Sequence, residues 1–140
     1  MGKVQILAVL TMDGCLSSEL YDKAHQDLCL DRCGLDEIRK KALYRVTPDY
    51  SISMLHEWRK DCTNICYLAE ATPDTADYIN GLLRMHAVDE IILYTVPFIS
   101  GSGRHFFKSA LPEQHWTLSS LKSYPNGVCR IIYILDKKAR

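Results

Sequence analysis

Charge of one sign is missing from this sequence: seventeen Lys and Arg residues balance seventeen Asp and Glu residues over 140 positions. No summed field therefore draws the protein onto nucleic acid or an anionic membrane. Long apolar runs are missing as well, since none approaches the roughly 18–20 residues needed to span a bilayer. Met1-Gly2-Lys3 leads straight into a strand-like run and shows no cleavage-site pattern. The expectation is a cytoplasmic protein whose partner is a small molecule, with neither nucleic acid nor membrane involved. Repeats, linkers and low-complexity stretches are absent too. With 47% hydrophobic and 24% charged residues, the composition is that of a globular chain, and residues 1–140 read as one domain.

Cysteine is not scarce, but its placement argues against staples. Cys15, Cys29, Cys33, Cys62, Cys66 and Cys129 are scattered through regular-looking segments, where a free thiol behaves as a small buried hydrophobe. Cys29-x3-Cys33 and Cys62-x3-Cys66 do have the separation found in structural zinc sites. Such pairs usually sit on Gly-rich tight turns, whereas Cys29 falls in a helical pattern and Cys66 in a strand pattern. Packing without metal is the expectation, with a four-thiolate zinc module as the rival.

Residues 3–10 form a nearly continuous apolar run, the pattern of a central strand covered on both faces. Thr11-Met12-Asp13-Gly14 ends it with a turn signal. Helical spacing of Leu20, Tyr21, Ala24 and Leu28 predicts a helix over 18–32, which Gly34 breaks before a second amphipathic piece at 35–43. Ile52, Leu55 and Trp58 share one helical face, residues 64–69 read as a short buried strand, and Thr72-Pro73-Asp74 reads as a helix start. Ala76, Ile79, Leu82 and Leu83 supply that helix's core stripe. A β-branched and aromatic strand follows over 88–98, so 64–98 is a strand–helix–strand unit with a right-handed parallel crossover. Two final strands, 116–123 and 128–135, flank Tyr-Pro-Asn-Gly and predict an antiparallel hairpin. The fold class is α/β, with a mixed, mostly parallel sheet.

Three pieces of sequence carry a resemblance: Val88-Asp89-Glu90-Ile91-Ile92-Leu93, then Val96-Pro97, then Gly101-Ser102-Gly103-Arg104-His105-Phe106-Phe107. Together they resemble the signature of the dihydrofolate reductase-like superfamily, and more narrowly the reductase domain of the bifunctional riboflavin-biosynthesis deaminase/reductase. Ala8 to Gly14 is similar to the first strand and substrate loop of those proteins. This likeness implies a three-layer fold, a homodimer, and NADPH-dependent reduction of a small heterocyclic or ribosyl compound, in which the protein mainly positions donor and acceptor. Asp13, Gly14 and Glu70 would then lie by the substrate, and Ala71, Thr72, Gly101, Ser102 and Gly103 by the cofactor; no catalytic side chain is assigned.

Two departures weigh on the cofactor. Where relatives carry Glu-Gly-Gly, this chain has Glu70-Ala71-Thr72 followed by Pro73, which places two β-carbons where glycines allow backbone approach to a pyrophosphate and removes one amide. Residues 17–61 also lack a Gly-Arg-x-Thr-like segment, leaving Arg32, Arg39 and Arg45 as substitutes. A non-catalytic relative that has lost the dinucleotide and binds another ligand or a protein is therefore the rival reading. Asp13-Gly14 also reads as a plain turn, Glu70 as a capping acid, and Gly101-x-Gly103 as a turn and not a nucleotide fingerprint. His86, His105 and His115 are too irregularly spaced for a metal cluster, and Trp58, Trp116 and Tyr94 read as packing residues.

Overall fold

The first strand, β1 (Lys3–Leu10), lies at the middle of the sheet because both its edges and both its faces are taken. The structure, a computed structural model, describes residues 2–16, 34–42, 44–60, 65–97, 99, 104–107, 111–125 and 127–135. Eight strands and three helices are found among them: β1; β2 (Cys15–Leu16); α1 (Leu35–Lys41); β3 (Tyr44–Arg45); α2 (Ile52–Arg59); β4 (Cys66–Glu70); α3 (Ala76–Arg84); β5 (Glu90–Thr95); β6 (Arg104–His105); β7 (Trp116–Ser123); and β8 (Cys129–Leu135). The main sheet runs β3-β4-β1-β5-β8-β7, parallel from β3 to β5 and antiparallel from β5 to β7. This bears out the mixed α/β sheet with a terminal hairpin.

Alternation along β1 divides the core. Val4, Ile6, Ala8 and Leu10 join Leu55 of α2 and Ile79, Leu82 and Leu83 of α3 on one face, while Leu7 and Val9 join Leu35 of α1, Leu68, Ile92 and Tyr94 on the other. Burial on both faces explains why the strand reads as an unbroken apolar run. The acidic pair at the start of β5 fastens its other end: Asp89 Oδ2 accepts a hydrogen bond of 3.0 Å from the Val4 amide, and Glu90 pairs with Lys3.

Local chemistry sets the helices. Ser51 caps α2 by accepting from the Met54 amide at 3.1 Å. Gly34 precedes α1 at φ 85°, a left-handed conformation that favours glycine. In the hairpin, Gly127 (φ 89°) donates to Tyr124 O at 3.0 Å, as the turn sequence predicts.

Several boundaries differ from the sequence reading. Thr72-Pro73-Asp74 forms a turn, and α3 begins at Ala76, because the Thr72 and Thr75 hydroxyls bond this backbone to itself before the helix starts. The strand expected over 88–98 is shorter, Glu90–Thr95. The two-residue strands β2, β3 and β6 were not anticipated, since tertiary pairing and not local pattern makes them. The helix expected over 18–32 lies outside the described residues. No described helix is long and apolar enough to cross a membrane.

Replacing Asp89 with Ala leaves the Val4 amide, at the start of the central strand, without its side-chain acceptor, and urea unfolding should report a loss of about 1–3 kcal/mol. Tyr78 supplies a pH-dependent contribution. Its hydroxyl donates to Tyr50 O at 2.7 Å, and burial raises its pKa above 10.0. The fold holds the phenol protonated, so this stabilisation is complete below the unfolded value of about 10 and is lost as pH climbs through the raised folded value. Tyr78→Phe should cost about 1 kcal/mol at neutral pH and flatten the alkaline limb of a thermal-midpoint curve.

Candidate functional site

Open α/β sheets build their ligand crevices beyond the carboxyl ends of the parallel strands. Here those ends are stepped. Leu10 of β1 pairs with Thr95 of β5, so the two strands finish together, whereas Glu70, the last residue of β4, stands opposite Leu7. At about 3.3 Å per residue, β1 therefore runs roughly 10 Å past the end of β4.

The upper tier is the turn after β1. The Thr11 hydroxyl donates to Asp13 Oδ1 and accepts from the Cys15 amide at 3.1 Å, while the Gly14 amide donates to Thr11 O at 3.0 Å. Gly14 takes a left-handed conformation (φ 77°), which the turn needs and a side chain resists. From this turn β2 pairs antiparallel with β6, Cys15 opposite His105, and the Phe106 amide donates to Gly14 O at 3.1 Å. Buried Asn80 of α3 ties the same segment down by donating at 2.7 Å to both Ala76 O and Phe106 O.

Sequence reasoning gave neither Cys15 nor His105 a role at this site. The Cys15 thiol lies 3.9 Å from His105 Nδ1 and 3.9 Å from Asp13 O, and it is buried. A thiol shielded in this way packs and does not attack. Among the described residues, no three His, Cys, Asp or Glu side chains converge on a metal position.

The lower tier follows β4. Glu70 pairs with Arg39 of α1 and, at 3.4 Å, with Arg45 Nη1 of β3, which joins two of the arginines singled out from the sequence to the expected glutamate. Nothing in the spacing of 39, 45 and 70 announces this triad. Ala71 is buried, and its amide donates to Leu7 O at 2.7 Å. The Thr72 amide donates to Thr75 Oγ1 at 2.8 Å, the Thr75 amide reaches Thr72 Oγ1 at 3.2 Å, and Thr75 Oγ1 donates to Glu70 O at 2.9 Å.

A pyrophosphate seat requires backbone amides aimed outward and room for close approach. The Ala71, Thr72 and Thr75 amides are spent within the protein, Pro73 has none, and the acids Asp74 and Asp77 stand where the helix start would otherwise favour an anion. Three of the four amides in residues 71–75 are thus turned inward, which makes this turn a poor fit to a dinucleotide's diphosphate. The structure brings Asp13 and Gly14 together with the 104–107 segment and leaves Glu70 a tier below. Gly101, Ser102 and Gly103 lie outside the described residues.

No protein-family model matches the sequence, and no curated protein matches it. Solved structures do. A protein of Shewanella sp. PV-4 named for riboflavin biosynthesis superposes with a TM-score of 0.65 at 11% identity, covering 96% of this chain and 99% of that one. RibD of Acinetobacter baumannii superposes with a TM-score of 0.55 at 13% identity over 97% of this chain, which spans 58% of that longer protein. At such identities the likeness is one of architecture. With its parallel core, terminal antiparallel hairpin and extent of superposition, the chain has the dihydrofolate reductase-like fold of these riboflavin-biosynthesis proteins.

Proposed function

We propose that this chain uses the reductase architecture to bind a small molecule without seating a dinucleotide on residues 71–75. One observation carries the reading: the reciprocal Thr72–Thr75 hydrogen bonds and the Ala71–Leu7 bond occupy three of the four amides in residues 71–75. The ligand lies above the ends of β1 and β5, beside Asp13 and Gly14, where the step in the sheet leaves β1 standing proud of β4.

A second reading keeps the reaction. Superposition over 99% of the Shewanella protein favours it, because that likeness extends across the whole length of a protein named for riboflavin biosynthesis. On this reading the chain reduces a heterocyclic or ribosyl compound with NADPH, Asp13, Gly14 and Glu70 serving the substrate and Ala71, Thr72, Gly101, Ser102 and Gly103 the cofactor.

Titrating the purified protein with NADPH while following nicotinamide fluorescence separates the two. The first reading expects no saturable change up to about 1 mM. Micromolar binding overturns it in favour of the second. The paired change Ala71→Gly with Thr72→Gly removes both β-carbons and the Thr72 hydroxyl while leaving the Thr75 amide its bond to the residue-72 carbonyl, and should raise NADPH affinity by about tenfold or more. If the wild type does not bind and the paired variant gains nothing, the turn is not what excludes the cofactor.

A further inference from the structure

Away from these tiers, four aromatic residues gather at the opposite end of β4. Tyr44 of β3 pairs in register with Tyr67 of β4, and their rings stack with centroids 5.6 Å apart and planes 13° from parallel. Trp58 of α2 continues the stack against Tyr67 at 5.9 Å and 24°. Tyr50 closes it edge-on against Trp58, at 5.6 Å and 72°. Among the described residues, these four and Ile65 line a cavity of about 310 Å3. Its position separates it from the candidate site at the carboxyl ends of the parallel strands. Tyr67 precedes Glu70 by three residues, or about 10 Å of strand, and packs towards α2, whereas Glu70 reaches Arg39 of α1 on the other face.

A cluster that only completed the core would close over its rings. Tyr67 is closed over, but Tyr44 remains 48% exposed on its edge strand, and the cavity that these residues line is within the range of small-ligand pockets, at its lower limit. The lining is also held in place before anything binds. Tyr78 bonds the Tyr50 carbonyl, the Ser51 cap fixes the start of α2, and the Tyr44–Tyr67 register fixes the two strands.

The chemistry of the lining selects the occupant. Among the described residues, none that line the cavity carries a charge, so these five offer a cation no carboxylate to offset its desolvation. Cation cages also present ring faces from several directions, whereas three of these rings are nearly parallel. A flat ring can lie against aromatic surfaces of this kind, and the Tyr44 and Tyr50 phenols at the lining can exchange hydrogen bonds with ring nitrogens and carbonyls. We infer that this cavity is a binding site for a planar, uncharged heteroaromatic ring of one or two fused cycles. It stands independently of the reading given to the carboxyl ends of the strands.

Caffeine is a suitable probe, being flat, uncharged and soluble, and tetramethylammonium chloride is the contrasting cation. Trp58 and Trp116 are the chain's two tryptophans, and Trp116 lines a different cavity. Caffeine should quench tryptophan fluorescence saturably, with a dissociation constant of about 1 mM, as expected of so small a ligand. Tyr44→Ala should weaken binding at least tenfold, and Trp58→Phe should abolish the saturable signal. Should Tyr44→Ala lose its far-ultraviolet circular dichroism, Tyr44→Leu, which keeps the edge strand apolar, replaces it with the same expectation. A linear unsaturable response, a saturable quench that survives Trp58→Phe, or competition by tetramethylammonium overturns the assignment. These outcomes are read at Trp58 and are independent of whether NADPH binds.

Discussion

Every layer of this protein depends on β1 being paired on both edges at once. A strand buried on both faces can leave no amide or carbonyl without a partner, so β4 and β5 must lie parallel to it in fixed register, Lys3 opposite Cys66 and Gln5 opposite Glu90. Once that register is set, so are the faces that receive α1 on one side and α2 and α3 on the other. The Asp89 carboxylate on the Val4 amide and the Lys3–Glu90 pair then hold the shared starting edge of β1 and β5. This gives a physical account of the Val-Asp-Glu sequence independent of any ligand: it closes the edge of the sheet opposite the candidate site.

The same accounting of backbone donors bears on the candidate site. Fold likeness invites a nucleotide, but a fold hosts many chemistries and function has to be argued from the groups on display. At the turn after β4 those groups are turned inward. Two threonine hydroxyls substitute for the contacts a phosphate would make, and two arginines meet the carboxylate above them. An ion triad of this sort is weak evidence for stability, since desolvating Glu70 and Arg39 offsets much of their attraction and Arg45 is more than half exposed. Its structural effect is to tie α1 and β3 to the end of β4 and to occupy Glu70, Arg39 and Arg45 with one another.

Much of the architecture could be read from the residues because long elements carry redundant signals. β1 announces itself by a continuous apolar run, β5 by β-branched and aromatic residues, and the hairpin by Tyr-Pro-Asn-Gly. The start of α3 was misjudged because Thr72-Pro73-Asp74 has the composition of a helix start, while the deciding group, the Thr75 hydroxyl, sits three residues on and prefers the turn. Two-residue strands have no period to detect. The site was half legible: Asp13 and Gly14 stand at the turn read from their dipeptide, but the step that separates them from Glu70 depends on where β4 stops. The aromatic cavity was hidden for another reason, since Tyr44, Tyr50, Trp58 and Tyr67 share no spacing in the chain and meet only through strand order.

Placing the most apolar strand at the centre also has a consequence during synthesis. β1 leaves the ribosome well before either neighbour exists, because its partners lie at Cys66–Glu70 and Glu90–Thr95. For that interval the nascent chain presents a sticky ribbon with both hydrogen-bonding edges open, the form most inclined to pair with another copy. Only when β5 has emerged can both edges of the ribbon be covered.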